Sequence, residues 1–180
     1  MEFRDLDVKD YPSFLKLYNA SFPADERRIY KSAEHVASFV KEKGGKFKGF
    51  VYDDGGNDFL GFLTYWVFKG YVYIEHFAVD PAHRSKNIGR SMLSHLFDIA
   101  GQDVLIEVEK PETEEARRRI AFYEKNGFRM REDINYVQPP YSAEQSGVEM
   151  MLMTHGNVDL KDTRDLREML TEVYNVDKGV

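Results

Sequence analysis

The sequence predicts an α+β domain of α/β/α layers, built on a mixed, mostly antiparallel central sheet with one parallel pair. Three observations carry that expectation. Strand-like runs at 47–52, 59–68 and 71–79 are separated by the turn clusters Asp53-Asp54-Gly55-Gly56-Asn57-Asp58 and Lys69-Gly70, so they pair as successive antiparallel neighbours. The third run leads through a helical segment into a further strand at 103–109, and such a β-α-β crossover makes its two strands parallel. The remaining segments repeat their apolar residues at helical spacing.

In chain order, residues 2–6 read as a short first strand. Asp7 caps a helix over about 8–21, with Asp10 in its first turn and Val8, Tyr11, Leu15, Tyr18 and Phe22 on one face. Phe22-Pro23 ends it, and Asp25-Glu26-Arg27-Arg28 reads as a solvated charged connection. Ser32 caps a second helix that buries Val36, Phe39 and Val40 and stops at Gly44-Gly45. The run Tyr71-Val72-Tyr73-Ile74-Glu75-His76-Phe77-Ala78-Val79 is aromatic and β-branched, as a mostly buried strand should be. Asp80-Pro81 halts it, since proline lacks a ladder donor. A basic loop follows, then a helix from about Asn87 or Ile88, carrying Ile88, Met92, Leu93, Leu96 and Ala100 and closing on Gly101.

At 103–109, Val104, Ile106 and Val108 face one way and Leu105, Glu107 and Glu109 the other. Two glutamates on one face predict a wet cleft. After Pro111, Thr113 caps a helix whose first turn carries Glu114 and Glu115, with Arg118 and Arg119 four residues on and Ala116, Ile120 and Tyr123 on one face. It ends at Gly127, a left-handed cap, and a strand starts at Phe128. Residues 133–147 read as a long connection and 148–154 as a last strand whose methionines pack. Asp162 or Thr163 caps a final helix with the stripe Leu166, Met169, Leu170, Val173 and Tyr174. Residues 1–155 form the main domain. Residues 156–180 form an extension that packs on that domain or contacts a second copy, so both a monomer and a homodimer stay open.

Composition bounds the partners. A chain of 180 residues with 42% hydrophobic and 31% charged content is long enough for one well-cored domain. Its net charge of −6 argues against nucleic acid and mildly favours a cationic partner. There is no cysteine, hence no disulfide, thiolate metal site or thiol nucleophile. No basic leader precedes an apolar run, and the longest apolar stretch, 59–68, is too short for a bilayer. A cytoplasmic protein without membrane attachment is the expectation. No His, Asp or Glu set has metal-ligand spacing, so no metal is inferred; His76 reads as a packed core residue and His83 as solvated.

Strand, basic turn and helix start together suit phosphate. The first turn of a helix has N–H groups without internal partners, and its dipole adds positive potential. Arg84, Lys86 and Arg90 add cations, and Gly89 allows close approach of a bulky anion. No Lys-Ser/Thr follows the glycine, so this is not a P-loop. The run Arg84-Ser85-Lys86-Asn87-Ile88-Gly89 resembles the acetyl-CoA signature of the GCN5-related N-acetyltransferase (GNAT) superfamily, Gln/Arg-x-x-Gly-x-Gly/Ala. Asn87 replaces the first glycine, and asparagine is the residue that best tolerates positive φ after glycine. A second match lies downstream, where Ile120-Ala121-Phe122-Tyr123-Glu124-Lys125-Asn126-Gly127-Phe128 resembles the family's Ala-x-x-Phe/Leu-Tyr-Glu-Lys-x-Gly-Phe segment. The resemblance spans residues 2–155. One departure is Ala116, where many relatives have an asparagine that touches the pantetheine arm.

The resemblance implies the GNAT acyl-CoA N-acyltransferase fold, with the parallel pair around an acetyl-CoA cleft. It implies an N-acetyltransferase in which a primary amine, small-molecule or peptide, attacks acetyl-CoA directly in a ternary complex. A non-catalytic acyl-CoA sensor is the alternative. Pantetheine would bond the backbone of Phe77 and Val79, and an N–H of Phe77 or Ala78 would hold the carbonyl oxygen. The pyrophosphate would take N–H groups across Lys86, Asn87, Ile88, Gly89 and Arg90, with Ser85 in the loop and Arg84 as a cationic partner. Tyr123 is the candidate acid for the leaving thiolate. Glu75 is the candidate base, on the side of Tyr73 and Phe77, its pKa raised by partial burial, with Glu107 and Glu109 as rivals. The charged connection around residue 26 would shape the acceptor pocket.

Overall fold

The computed structural model describes residues 2–55, 59–84, 87–160 and 166–176. Its strands are β1 (Glu2–Asp5), β2 (Phe47–Asp53), β3 (Phe59–Val67), β4 (Tyr71–Val79), β5 (Asp103–Glu109), β6 (Arg129–Met130), β7 (Tyr136–Gln138) and β8 (Val148–His155). They form one sheet in the order β1-β2-β3-β4-β5-β8-β6, with β7 also on β8. Each described pairing is antiparallel except β4 with β5, which is parallel as the crossover predicts.

Helices cover both faces. On one, α3 (Ile88–Ala100) and α4 (Glu114–Lys125) bury Met92, Leu93, Leu96, Ile120 and Tyr123 with Val72, Ile74, Val104, Ile106 and Val108 of the sheet. On the other, α1 (Tyr11–Ser21) and α2 (Ala33–Lys43) set Tyr11, Phe14, Tyr18 and Val36 with Val51, Phe62 and Ala78. Beside them α5 (Arg167–Tyr174) sinks its stripe, Leu166, Met169, Val173 and Tyr174, among Trp66, Tyr73, Leu105 and Leu152. Helix α5 therefore packs on the sheet of its own chain. Its expected cap, Asp162 or Thr163, lies outside the described residues. No helix among the described residues is long and apolar enough to cross a membrane.

The caps follow the sequence. Ser32 Oγ accepts from His35 N at 3.3 Å, and Thr113 Oγ1 from Ala116 N at 3.0 Å. Thr113→Ala is expected to cost about 1 kcal/mol of unfolding free energy in a urea titration, because one first-turn N–H then lacks its partner. At the start of the chain the expectation changes. Asp7 accepts from Val8 N at 2.6 Å and Asp10 accepts from Asp7 N at 3.0 Å, and this reciprocal cap winds Val8–Asp10 as a 3-10 turn before α1. Three residues per turn put Val8 out of phase with the apolar face of α1, and it is 63% exposed.

Two further departures matter for the site. The connection expected over 133–147 contains β7, whose Tyr136 and Gln138 turn inward; three residues are too few for a periodic signal. In β4 the register runs Thr64↔His76 and then Tyr65↔Ile74, so Glu75 is an extra, unopposed residue. A bulge of this kind resets the alternation of faces. Glu75 and His76 therefore both turn toward the α1–α5 layer, against Arg28 and Tyr18 respectively, while Phe77 packs toward α3 and α4. The regular strand expected from the sequence put Phe77 with Glu75 and His76 opposite.

Candidate active site

β4 and β5 share rungs only from Tyr71↔Asp103 to Ile74↔Ile106. Past that point β5 continues on β8 alone, and β4 on β3. The Glu75 bulge occupies the first unpaired position of β4, and a bulge bends its strand. A cavity of about 620 Å³ lies in the resulting gap. Its walls are residues 75–79 of β4 and 106–109 of β5, the loop and helix start at Arg84, Asn87, Ile88, Gly89 and Arg90, and Phe122 and Tyr123 of α4. Its far end is lined by Ser21, Phe22, Glu26, Gln138, Tyr141 and Met150.

Backbone alternation decides what β4 presents. Asp80 N donates to Leu60 O at 2.8 Å, toward β3. Ala78 and His76 share that side, so the N–H and C=O of Phe77 and Val79 turn to the gap. Of the two residues expected to offer a carbonyl-binding N–H, Ala78 faces β3 with its backbone and α1 with its side chain. Phe77 faces the cavity.

Asn87 sits at φ 58°, ψ 11°, the left-handed conformation expected of it in place of glycine, and opens α3. Arg84 and Arg90 line the cavity beside it. Ser85 and Lys86 lie outside the described residues. A Cβ on Gly89 would meet Phe122 Cζ at 3.2 Å and Phe77 Cζ at 3.5 Å, so this glycine also lets α4 close on β4. His83, expected in solvent, borders the same cavity.

Tyr123 is 4% exposed. The turn that ends α4 fixes it: its carbonyl accepts from Asn126 N at 2.9 Å and Phe128 N at 3.1 Å, with Gly127 at φ 88°. Its ring stands edge-on to Phe122 and Phe128. Burial raises the phenol above its ordinary value, with only slight opposition from Arg119, so it keeps its proton at neutral and mildly basic pH.

Glu75 departs from expectation. Its Oε1 accepts from Arg28 Nε at 2.9 Å, while Oε2 lies 3.8 Å from His76 Nδ1. Burial works to raise its pKa, but the Arg28 guanidinium, aided by His76, holds it down to about 2. The expected upward shift is thus reversed. Arg28, read from sequence as part of a solvated run, is 8% exposed. Its guanidinium donates to Val173 O and lies 4.5 Å from the Phe39 ring, 4.7 Å from Tyr141 and 5.5 Å from Trp66. Its amide donates to Tyr18 Oη at 2.8 Å. Nothing local in Asp25-Glu26-Arg27-Arg28 marks the one arginine that turns inward. Glu26 borders the cavity, raised by burial and by Glu109.

Glu107 carries the upward shift instead. It is the first β5 residue past the last rung with β4. Tyr136 donates to its Oε1, and Tyr174 to its Oε2 at 2.8 Å. The Tyr73 and Tyr174 hydroxyls meet at 3.0 Å. Burial pushes the carboxyl up to about 7, against these hydrogen bonds and with help from nearby Glu75. Glu109 also lines the cavity but is paired with Arg119. The tyrosines around Glu107 went unrecognised in the sequence because they come from β4, β7 and α5, far apart in the chain.

A family model for the acetyltransferase (GNAT) domain matches residues 45–130. A solved structure from Bacteroides thetaiotaomicron, assigned to the GNAT acetyltransferases, is 35% identical over 98% of this chain and 100% of its own, with a TM-score of 0.84. The ribosomal-protein-S18-alanine N-acetyltransferase of Escherichia coli is 20% identical over 88% of this chain and 97% of its own, with a TM-score of 0.61. A spermidine N-acetyltransferase chimera of the Vibrio cholerae and human enzymes is 15% identical over 86% and 96%, with a TM-score of 0.66. The last two share the fold. Among curated proteins none matches the sequence.

Proposed function

The chain belongs to the GNAT acetyltransferase family, and from that premise we propose that it transfers the acetyl group of acetyl-CoA directly to a primary amine bound in the cavity. One observation carries this reading: the gap between β4 and β5 opens onto the first turn of α3 at one end and contains Tyr123 in its wall. In this reading the N–H groups at the start of α3, with Arg84 and Arg90, hold the diphosphate of the donor. The free backbone of Phe77 and Val79 lines up the pantetheine arm as an added strand, and the Phe77 N–H steadies the carbonyl oxygen. The amine nitrogen bonds to the carbonyl carbon and gives up a proton. The C–S bond breaks with its pair on sulfur, and sulfur takes the Tyr123 proton. No covalent acyl-enzyme is required, in keeping with a chain that has no cysteine.

The acceptor end favours a compact amine over a peptide. Gln145 Nε2 donates to Ala24 O at 2.5 Å and Arg27 O at 2.9 Å, tying the connection before β8 to the loop before α2 that supplies Glu26 to the cavity lining. Helix α5 belongs to the catalytic unit in this reading, since Val173 and Tyr174 hold Arg28 and Glu107.

The test combines calorimetry with coenzyme A and detection of free thiol when acetyl-CoA is mixed with a panel of small amines and N-terminal peptides. Binding of coenzyme A and thiol release with at least one small amine is the expected result. Binding without release from any amine would point to an acyl-CoA sensor, and no heat at millimolar coenzyme A would end the reading altogether.

A further inference from the structure

Two buried carboxylates flank the point where β4 and β5 part, and they are differently employed. Glu75 is bound to Arg28, which is itself committed to Val173 O and three aromatic rings. Among the described residues Glu107 has no cation as a hydrogen-bond partner; tyrosine hydroxyls hold it from separate elements. We propose that Glu107 is the group that takes the proton from the acceptor amine, and that Tyr174 of α5 is its positioning residue. This rests on the acetyl-transfer reading above and replaces Glu75 as the base.

The geometry supports the assignment in three ways. Glu107 lines the cavity from the first β5 position beyond the last shared rung, across the gap from β4. The hydroxyls of Tyr136, Tyr174 and Tyr73 engage three of the four lone-pair sites of its carboxylate and leave one for a proton. Those of Tyr136 and Tyr174 are anchored in β7 and α5, so the carboxylate plane is fixed before substrate arrives. A buried carboxylate that holds no cation is expensive as mere structure. The groups that face it are Tyr73 and Glu75 from β4, Tyr136 from β7, Tyr141 from the following connection and Tyr174 from α5. Of these only Glu75 is charged at neutral pH, and it favours the protonated acid. The step balances simply. The neutral amine passes one proton to the Glu107 carboxylate as the N–C bond forms, sulfur departs with the C–S pair and takes the Tyr123 proton, and the Glu107 proton returns to Tyr123 through solvent.

The experiment is the pH profile of kcat/KM for thiol release in wild type, Glu107→Gln and Tyr174→Phe, with coenzyme A calorimetry on each. Wild type should lose activity on the acid side with a midpoint near pH 7. Glu107→Gln should bind coenzyme A as wild type does, lose about a hundredfold in rate at high pH and lack that acid limb. The limb from the acceptor's own ammonium should persist in all three proteins. Tyr174→Phe removes one hydrogen bond to the carboxylate and moves the acid limb upward: about threefold slower than wild type at pH 6, equal near pH 9. A merely structural tyrosine would lower the rate evenly at every pH, and that result overturns the assignment. So does a Glu107→Gln enzyme that keeps both its rate and its acid limb. If Glu107→Gln does not fold, the Tyr174→Phe profile decides alone. A wild type that binds coenzyme A yet acetylates no amine overturns the acetyl-transfer reading, and this assignment with it.

Discussion

Tyr123→Phe is expected to lower kcat about a thousandfold while leaving coenzyme A affinity within about twofold. The substitution removes one oxygen from a ring that is otherwise packed by Phe122 and Phe128, so the cavity wall keeps its shape. What goes is the donor for the departing sulfur. Because burial holds the wild-type phenol protonated well into the basic range, wild-type activity should not fall between pH 7 and 9 on account of this group. The check is single-turnover thiol release in both proteins, with calorimetry for binding. A loss of less than about fivefold would mean that solvent protonates the thiolate and that Tyr123 serves only to pack, since a positioned acid typically contributes a hundredfold or more.

Arg28→Met should destabilise the protein by about 3–5 kcal/mol at neutral pH, the cost typical of stranding one partner of a buried ion pair. The stem of methionine fills much of the space among Phe39, Trp66 and Tyr141, so the loss falls mainly on Glu75. The pH dependence identifies the cause. In wild type the Glu75 carboxyl is held at about 2 against an ordinary 4.5. Its contribution is therefore complete above the unfolded value and disappears as pH falls toward the folded one. In the variant, burial has lost its main opponent and raises that carboxyl, so acidification neutralises it and the gap between the two proteins should narrow from pH 7 to 4. Urea titrations at several pH values test this. Adding Glu75→Gln to Arg28→Met should restore part of the loss, because no buried charge is then left alone. A gap that does not change with pH would assign the loss to packing.

The two carboxylates show what a sequence can and cannot reveal. Glu75 and Glu107 look alike in the chain: each is an acid flanked by apolar residues of a strand. Glu75 is held down by Arg28, forty-seven residues before it, whereas burial raises Glu107, and the Tyr174 hydroxyl that partly opposes that rise lies sixty-seven residues after it. No local pattern encodes those meetings. Features that depend on short-range physics were legible. The caps at Ser32 and Thr113, the left-handed Asn87 and the glycine stop after Tyr123 follow from neighbours within a few residues, and the parallel pairing of β4 and β5 from the order of consecutive elements. The bulge at Glu75 was not, because one unopposed residue leaves no mark on composition, yet it decides which way Glu75, His76 and Phe77 turn.

The short ladder between β4 and β5 has a mechanical side. Strands β1 to β4 form one leaf of the sheet, β5 to β8 the other, and four rungs stitch them together. Such a seam is where a sheet yields first, since few backbone bonds resist its parting. Whatever occupies the notch beyond the last stitch touches both leaves and supplies rungs that the fold omits. Occupancy and cohesion then rise together, by RT ln(1 + [L]/Kd) for a molecule that binds only the closed form. The place where the two leaves are joined by only four rungs is thus the place where they have most to gain from company.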